Sequence, residues 1–230
     1  MLITDHAATI EACRFCFMCR HVCTLGVVSG RESDTPRGKG LILSKILKGH
    51  ADYGADLVDT LYRCCLCGLC ETWCKAGCRP PAAVLAARAD IVAQGKAPEQ
   101  VRQIKERLVQ TGNPFGLPPG ERFQALEGPD LFRARAEVLY YAGCDTAYRQ
   151  PRIAQALLKI FRAAEADFTL LAGERSTGKP LSLLGYPAEA RAMAEDLAGQ
   201  IRATRCRTLV TGCPSSFDAF TRDYPAMGLD

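Results

Sequence analysis

The chain has 230 residues, 48% hydrophobic and 23% charged, a globular composition with length enough for one large or two small domains. Its formal charge of +4 comes from basic residues scattered among acidic ones, which argues against a nucleic-acid-binding tail, and no helix-turn-helix with a basic face is legible. No apolar run reaches the ~18 residues of a membrane span, and the N-terminal residues lack the basic-then-apolar order of a secretion signal.

The protein is therefore expected in the cytoplasm, with at most peripheral contact with the inner membrane. Thirteen cysteines in such a chain read as metal ligands or reactive thiols rather than as a disulfide framework. Ten of them lie between Cys13 and Cys78, and only Cys144, Cys206 and Cys213 follow.

The first cysteine run is Cys13, Cys16, Cys19 and Cys23. A helix is expected over 36–50, from Pro36 through Leu41, Ile42, Ile46 and Leu47 to a stop at Gly49. The second run, Cys64, Cys67, Cys70 and Cys74, repeats the spacing of the first. In the bacterial ferredoxin arrangement three closely spaced thiolates hold one [4Fe-4S] cubane, and the fourth cysteine of the run serves the other. On that logic Cys13, Cys16, Cys19 and Cys74 hold one cluster, and Cys64, Cys67, Cys70 and Cys23 the other. Structural zinc needs only two Cys-x2-Cys pairs and leaves the third and fourth cysteines of each run unexplained. Two such cubanes, each carrying roughly −2 with its thiolates, would bring the protein close to neutral.

Cys65 and Cys78 lie out of register and are expected to pack as small hydrophobes, with Cys78 a substitute for Cys74 if the turn differs. His21 and Trp73 stand between ligands, where packing is the expected role and tuning of a cluster the functional one. His6 and His50 show no partner pattern and are expected to face solvent. Thr24 and Lys75 stand where a proline usually follows the fourth cysteine.

Helices are expected over 80–92 and 98–110, so the first half is read as helical. The stretch 112–120, rich in Gly and Pro, holds neither helix nor strand. Beyond it, strands over 138–142, 167–171 and 208–211 alternate with helices over 151–164 and 187–203, and Pro214 opens a last helix. That alternation implies crossover connections and a small parallel sheet.

Together with the runs, five further stretches resemble the iron–sulfur subunits related to heterodisulfide reductase and to the glycolate oxidase iron–sulfur subunit. They are Thr35-Pro-Arg-Gly-Lys39, Gly112-Asn-Pro-Phe-Gly116, Tyr141-Ala-Gly-Cys-Asp145, Gly185-Tyr186 and Val210-Thr-Gly-Cys-Pro214. The resemblance covers nearly the whole chain and implies an α+β multi-domain protein. An all-α, ferredoxin-like, two-[4Fe-4S] domain over 1–111 would be followed by a connector over 112–134 and a small α/β parallel-sheet domain over 135–230. In the family that last domain is cysteine-rich and helps to hold a non-cubane cluster. Here Ser176, Thr177 and Ser216 stand at the cysteine positions, and only Cys144 and Cys213 remain. Hydroxyls are poor donors to iron, so no cluster is expected there.

The implied role is electron relay from a partner flavoprotein dehydrogenase, carrying FAD or FMN, through two [4Fe-4S] clusters to a further redox subunit or carrier, with no catalytic residue of its own. Arg14, Arg20, Arg37 and Lys39, near the cluster-bearing segments, could steer an acidic partner or equally form a solvated face. The competing reading is a catalytic subunit of the heterodisulfide or sulfur-reductase type using Cys144 and Cys213; the missing paired cysteines, and a single such domain where the family commonly has two, count against it. Gly173 to Lys179 approximates a phosphate-binding loop, but Pro180 stands where Ser or Thr would meet Mg²⁺.

Overall fold

The computed structural model describes residues 1–126, 128 and 131–229, so Glu127, Pro129 and Asp130 of the expected connector lie outside the described residues. Two compact units form: Met1–Arg102 with Leu183–Tyr186, and Gln103–Ser182 with Pro187–Asp230. Among the described residues, no helix is long and apolar enough to cross a membrane.

The first unit is built from α1 (Ala7–Cys13), α2 (Thr24–Ser29), α3 (Pro36–Leu47), α4 (Ala55–Tyr62), α5 (Leu69–Thr72) and α6 (Pro80–Ala93). Helix α3 starts as its sequence dictates. The Thr35 hydroxyl accepts from Gly38 N at 3.1 Å, and Pro36 fills the first helical position, where its missing N–H costs nothing. Leu43 and Ile46 of α3 are buried with Ile10 of α1, Leu61 of α4 and Ala83, Ala87 and Ile91 of α6. The Asp90 carboxylate closes this core at the chain start by accepting from the backbone N–H groups of Leu2 and Ile3 at 2.6 and 3.1 Å.

Helix α4 has no counterpart among the expected elements; eight residues with Val58 and Leu61 buried give too short a periodic signal. Gly185 explains its own motif. A Cβ there would stand 2.6 Å from the backbone of Arg88, and its φ of 95° suits glycine. Tyr62 and Arg88 hold the same segment by donating to the carbonyls of Leu184 and Leu183 at 2.9 and 2.7 Å.

Helix α7 (Glu99–Thr111) leads into the second unit, which carries β1 (Val138–Tyr141), α8 (Cys144–Tyr148), α9 (Pro151–Ala163), β2 (Phe168–Leu170), α10 (Lys179–Leu184), α11 (Pro187–Thr204), β3 (Thr208–Thr211) and α12 (Pro214–Asp218). The three strands are parallel in the order β2-β1-β3, with Leu139 opposite Thr169 on one side and Leu209 on the other. Strand β1 is apolar throughout because both faces are covered. Tyr140 packs with Ala154, Leu158 and Phe161 of α9, while Leu139 and Tyr141 pack with Ala194, Leu197 and Ala198 of α11. After α12 the chain continues as a π-turn over Ala219–Asp223.

Gly38 meets a tighter limit than any helix propensity sets, since a Cβ there would lie 2.0 Å from the Glu32 carbonyl oxygen. Gly38→Ala is expected to cost about 1–3 kcal/mol through forced displacement of the 32–35 turn. Urea unfolding followed by far-ultraviolet circular dichroism would measure it, and an unchanged midpoint would contradict this packing.

Candidate metal centre

The first cysteine run begins where α1 stops. Cys13 is the last residue of α1, and successive turns carry the chain through Cys16 and Cys19 to Cys23, whose Sγ caps α2 by accepting from Gly26 N at 3.4 Å. The second run follows α4. Leu66 and Gly68 take left-handed φ values of 53° and 79°, turning the chain sharply between Cys64 and α5, which carries Cys70. Cys74 comes next, and its Sγ accepts from Cys78 N at 3.2 Å.

Two cavities open among these turns. One, of about 570 Å³ including its mouth, is lined by Cys13, Cys16, Cys19 and Cys74 together with Cys70 and Cys78. The other, of about 630 Å³, is lined by Cys23, Cys64, Cys67 and Cys70 together with Cys13 and Cys65. Each cavity thus takes three cysteines of one run and two of the other, the fourth among them, and the two share Cys13, Cys70, Pro36 and Pro80 in their walls. The thiols line walls rather than converge: among the described residues, no group of three or more His, Cys, Asp or Glu side chains is gathered as a single metal ion requires.

The donor set fits a multinuclear thiophilic group. Burial pushes the Cys13 thiol up to about 12, and neighbouring Cys78, Cys74 and Cys19 add to the rise. Burial does the same to Cys70, also up to about 12, with Cys19, Cys64 and Cys67 adding to it. Crowded, half-dry thiols resist ionising by themselves, and a cationic iron core is what would hold them as thiolates. Leu43, Pro81 and Val84 in the wall of the larger cavity limit the water that would compete.

Cys78 is buried, as expected of a packing residue, but its place in the wall of the smaller cavity also puts it beside the proposed ligands. Cys65 departs from expectation: it is exposed, 3.7 Å from the Thr24 hydroxyl. His21 and Trp73 are exposed and meet edge to face at 5.1 Å. His50 faces solvent, while His6 is half-buried. Lys39 corrects the steering role read for it. It is 3% exposed, lies in the wall of the larger cavity and donates from Nζ to the Asp34 carbonyl, so it presents no charge to a partner's surface. Burial lowers its pKa, against the pull of Cys64, Cys23 and Asp34.

In the second unit the three strands end on chemistry-bearing residues. Cys144 follows β1, Glu174 follows β2 and Cys213 follows β3, the carboxyl-end position where open parallel sheets gather functional groups. Gly143 makes room for Cys213, since a Cβ on it would lie 2.9 Å from the Cys213 Cβ. The residues that sequence reasoning missed are Arg122 and Glu174, which form an ion pair with side chains 3% and 0% exposed. Arg122 Nε donates to Glu174 at 3.1 Å, both Nη atoms lie 3.7 Å from Cys144 Sγ, and Glu174 also accepts from Ala142 N and Gly143 N at 2.8 and 3.0 Å. Burial opposes both charges. Glu174, then Cys144, holds the Arg122 pKa up, while burial raises the Glu174 pKa above the usual carboxylate range, with the guanidinium and two amides pulling it back down. No periodic or spacing signal marks such a pair, because its members stand far apart in the chain.

Ser176 and Thr177 are buried, and Thr177 O accepts from the Tyr224 hydroxyl at 3.1 Å. Lys179, the lysine of the apparent phosphate loop, is committed to Asp218 and Asp223 at 2.7 and 2.8 Å.

No protein-family model matches the chain, and no solved structure matches it. Among curated proteins, a probable membrane-anchored ferredoxin of Chromohalobacter salexigens is 31% identical over 76% of this chain and 27% of its own length. A dihydromethanophenazine:CoB–CoM heterodisulfide reductase subunit of Methanosarcina barkeri is 24% identical over 95% of this chain and 58% of its own. The glycolate oxidase iron–sulfur subunit of Escherichia coli is 31% identical over 51% of this chain and 27% of its own. The chain spans between about a quarter and three-fifths of the length of these relatives. It belongs to the iron–sulfur protein family that this heterodisulfide reductase subunit and the glycolate oxidase iron–sulfur subunit share.

Arg122→Ala is expected to leave the Glu174 carboxylate buried without its cation, costing about 3–5 kcal/mol. Urea unfolding would show the loss, and adding Glu174→Gln would recover part of it. An unshifted transition in the single variant would mean that the pair bears no load.

Proposed function

We propose that the chain is an electron-transfer subunit of an oxidoreductase complex, with two [4Fe-4S] clusters in its first unit. Cys13, Cys16, Cys19 and Cys74 would hold one cluster, and Cys64, Cys67, Cys70 and Cys23 the other. The observation that carries this reading is the crosswise composition of the two cavity walls, each with three thiols from one run and two from the other, the fourth cysteine of that other run among them. The shared wall residues would keep the two groups close enough for exchange. The clusters supply one-electron carriage; the chain's own residues supply thiolates, dryness and local charge.

The expected donor is a flavoprotein dehydrogenase subunit carrying FAD or FMN, and the acceptor a further redox subunit or carrier. Support for docking comes from the turns of the cysteine runs themselves. Phe15, Phe17, Met18 and Trp73 are between 55% and 70% exposed, an apolar surface of the kind that partners cover. Arg14, Arg20 and Arg37 also lie on or near these turns, although each is paired with Glu11 or Glu32. The alternative of a heterodisulfide-type catalytic centre at Cys144 and Cys213 is disfavoured by Arg122, whose guanidinium already lies against the Cys144 sulfur.

Anaerobic isolation followed by iron and acid-labile sulfide analysis tests the reading. The wild type should contain about eight of each per chain, and Cys23→Ser or Cys64→Ser about four. Because these two cysteines would serve one cluster, the double variant Cys23→Ser/Cys64→Ser should still hold about four iron atoms, whereas Cys13→Ser/Cys23→Ser should hold almost none. A protein with one cluster per run would show the reverse. Zinc without labile sulfide would end the relay reading altogether.

A further inference from the structure

Lys39 is buried in the wall of the cavity of Cys23, Cys64, Cys67 and Cys70, Arg88 is buried behind the segment that presents Cys64, and neither forms an ion pair with a carboxylate among the described residues. Lys39 is 3% exposed, and its ammonium donates to the backbone carbonyl of Asp34. Arg88 is 4% exposed, and its guanidinium donates to the carbonyls of Leu61, Tyr62 and Cys64 at 3.1, 3.1 and 2.5 Å, the segment that presents Cys64. The buried carboxylate nearby, Asp34, is paired with Arg63 at 3.3 Å. Arg63 is also 3.5 Å from Asp59, so Lys39, Arg88 and Arg63 against Asp34 and Asp59 leave one positive charge in excess around this wall. Full charges held against neutral carbonyls in a dry interior are destabilising unless an anion faces them.

A thiolate-bound cubane of roughly −2 is such an anion, and every electron added to it increases the attraction. The cavity of Cys13, Cys16, Cys19 and Cys74 has no matching feature. The cations in its wall are Arg37, a third exposed and paired with Glu32 at 3.0 Å, and Lys75, which is exposed. Solvent screens both.

Building on the relay reading above, we propose that Lys39, backed by Arg88, raises the reduction potential of the Cys23/Cys64/Cys67/Cys70 cluster above that of its neighbour. Within this chain, electrons then pass from the Cys13/Cys16/Cys19/Cys74 site to the Lys39 site. Lys39 acts by position and charge; it takes no part in ligation.

The test is an anaerobic redox titration followed by electron paramagnetic resonance, with the wild type, Lys39→Met, Lys39→Arg and Asp34→Asn compared. The wave missing from Cys23→Ser identifies the cluster concerned. It should be the upper of two in the wild type. Lys39→Met should weaken its reduction by about tenfold or more, a fall of about 59 mV for one electron, and leave the lower wave in place. Lys39→Arg should stay near the wild type, while Asp34→Asn, which removes a negative charge from the same wall, should move the upper wave up. If Lys39→Met fails to retain iron, Asp34→Asn decides the matter alone. Unmoved waves, or equal shifts of both, in variants of full iron content overturn the proposal. A merely structural Lys39 would lower the unfolding midpoint of the metal-free protein and leave the potentials where they were. Wild-type protein without labile sulfide overturns the relay reading itself, and this inference with it.

Discussion

Pro36 and Pro80 begin the two long helices of the first unit, and both also stand in the walls of both thiol-lined cavities. A helix can start on proline because the first N–H groups have no intrahelical partner, so the second cysteine run passes through a short turn into α6, and the first reaches α3 by way of α2. The two rods are locked together by Leu43, Ile46, Ala83, Ala87 and Ile91. What this core fixes is the separation of two short segments built from successive hydrogen-bonded turns. The placement of each thiol therefore depends on packing between helices α3 and α6 as much as on its own turn.

Within that frame the two cavities differ in charge. One is walled on its inner side by Lys39 and by the segment that Arg88 grips, while the cations around the other stand in or near water. Dielectric surroundings decide how far such charges act. An ammonium 3% exposed keeps its field, and an exposed one loses most of it to solvent and salt. Two cysteine-lined cavities are thereby made unequal by residues that are not cysteines.

The second unit repeats the theme with a different outcome. Its parallel sheet delivers Cys144, Glu174 and Cys213 to one end, and the space beside Cys144 is taken by the Arg122 guanidinium. The buried ion pair is satisfied by two amides and held at the sheet end, so it stiffens the place where the strands stop. Ser176 and Thr177 are buried, the Thr177 hydroxyl accepts from Lys179 N at 3.3 Å, and Lys179 itself is paired with Asp218.

Helices at 36–47, 80–93 and 187–204 and strands at 138–141 and 208–211 were legible in the chain because capping residues, prolines and apolar periods are local signals. The cysteine spacing was legible for the same reason, and the proposed grouping of ligands rests on that repeat. Helix α4 was missed because eight residues hold too little pattern, and Lys39 was misread as a surface charge because it lies near the first cysteine run and a lysine is usually exposed. Burial is a property of what packs from elsewhere. The isolation of Lys39 from water, the grip of Arg88 on the Cys64 carbonyl and the Arg122–Glu174 pair all join residues distant in the chain. Local chemistry could name the donors of this protein, and only tertiary packing could decide which charges they would face.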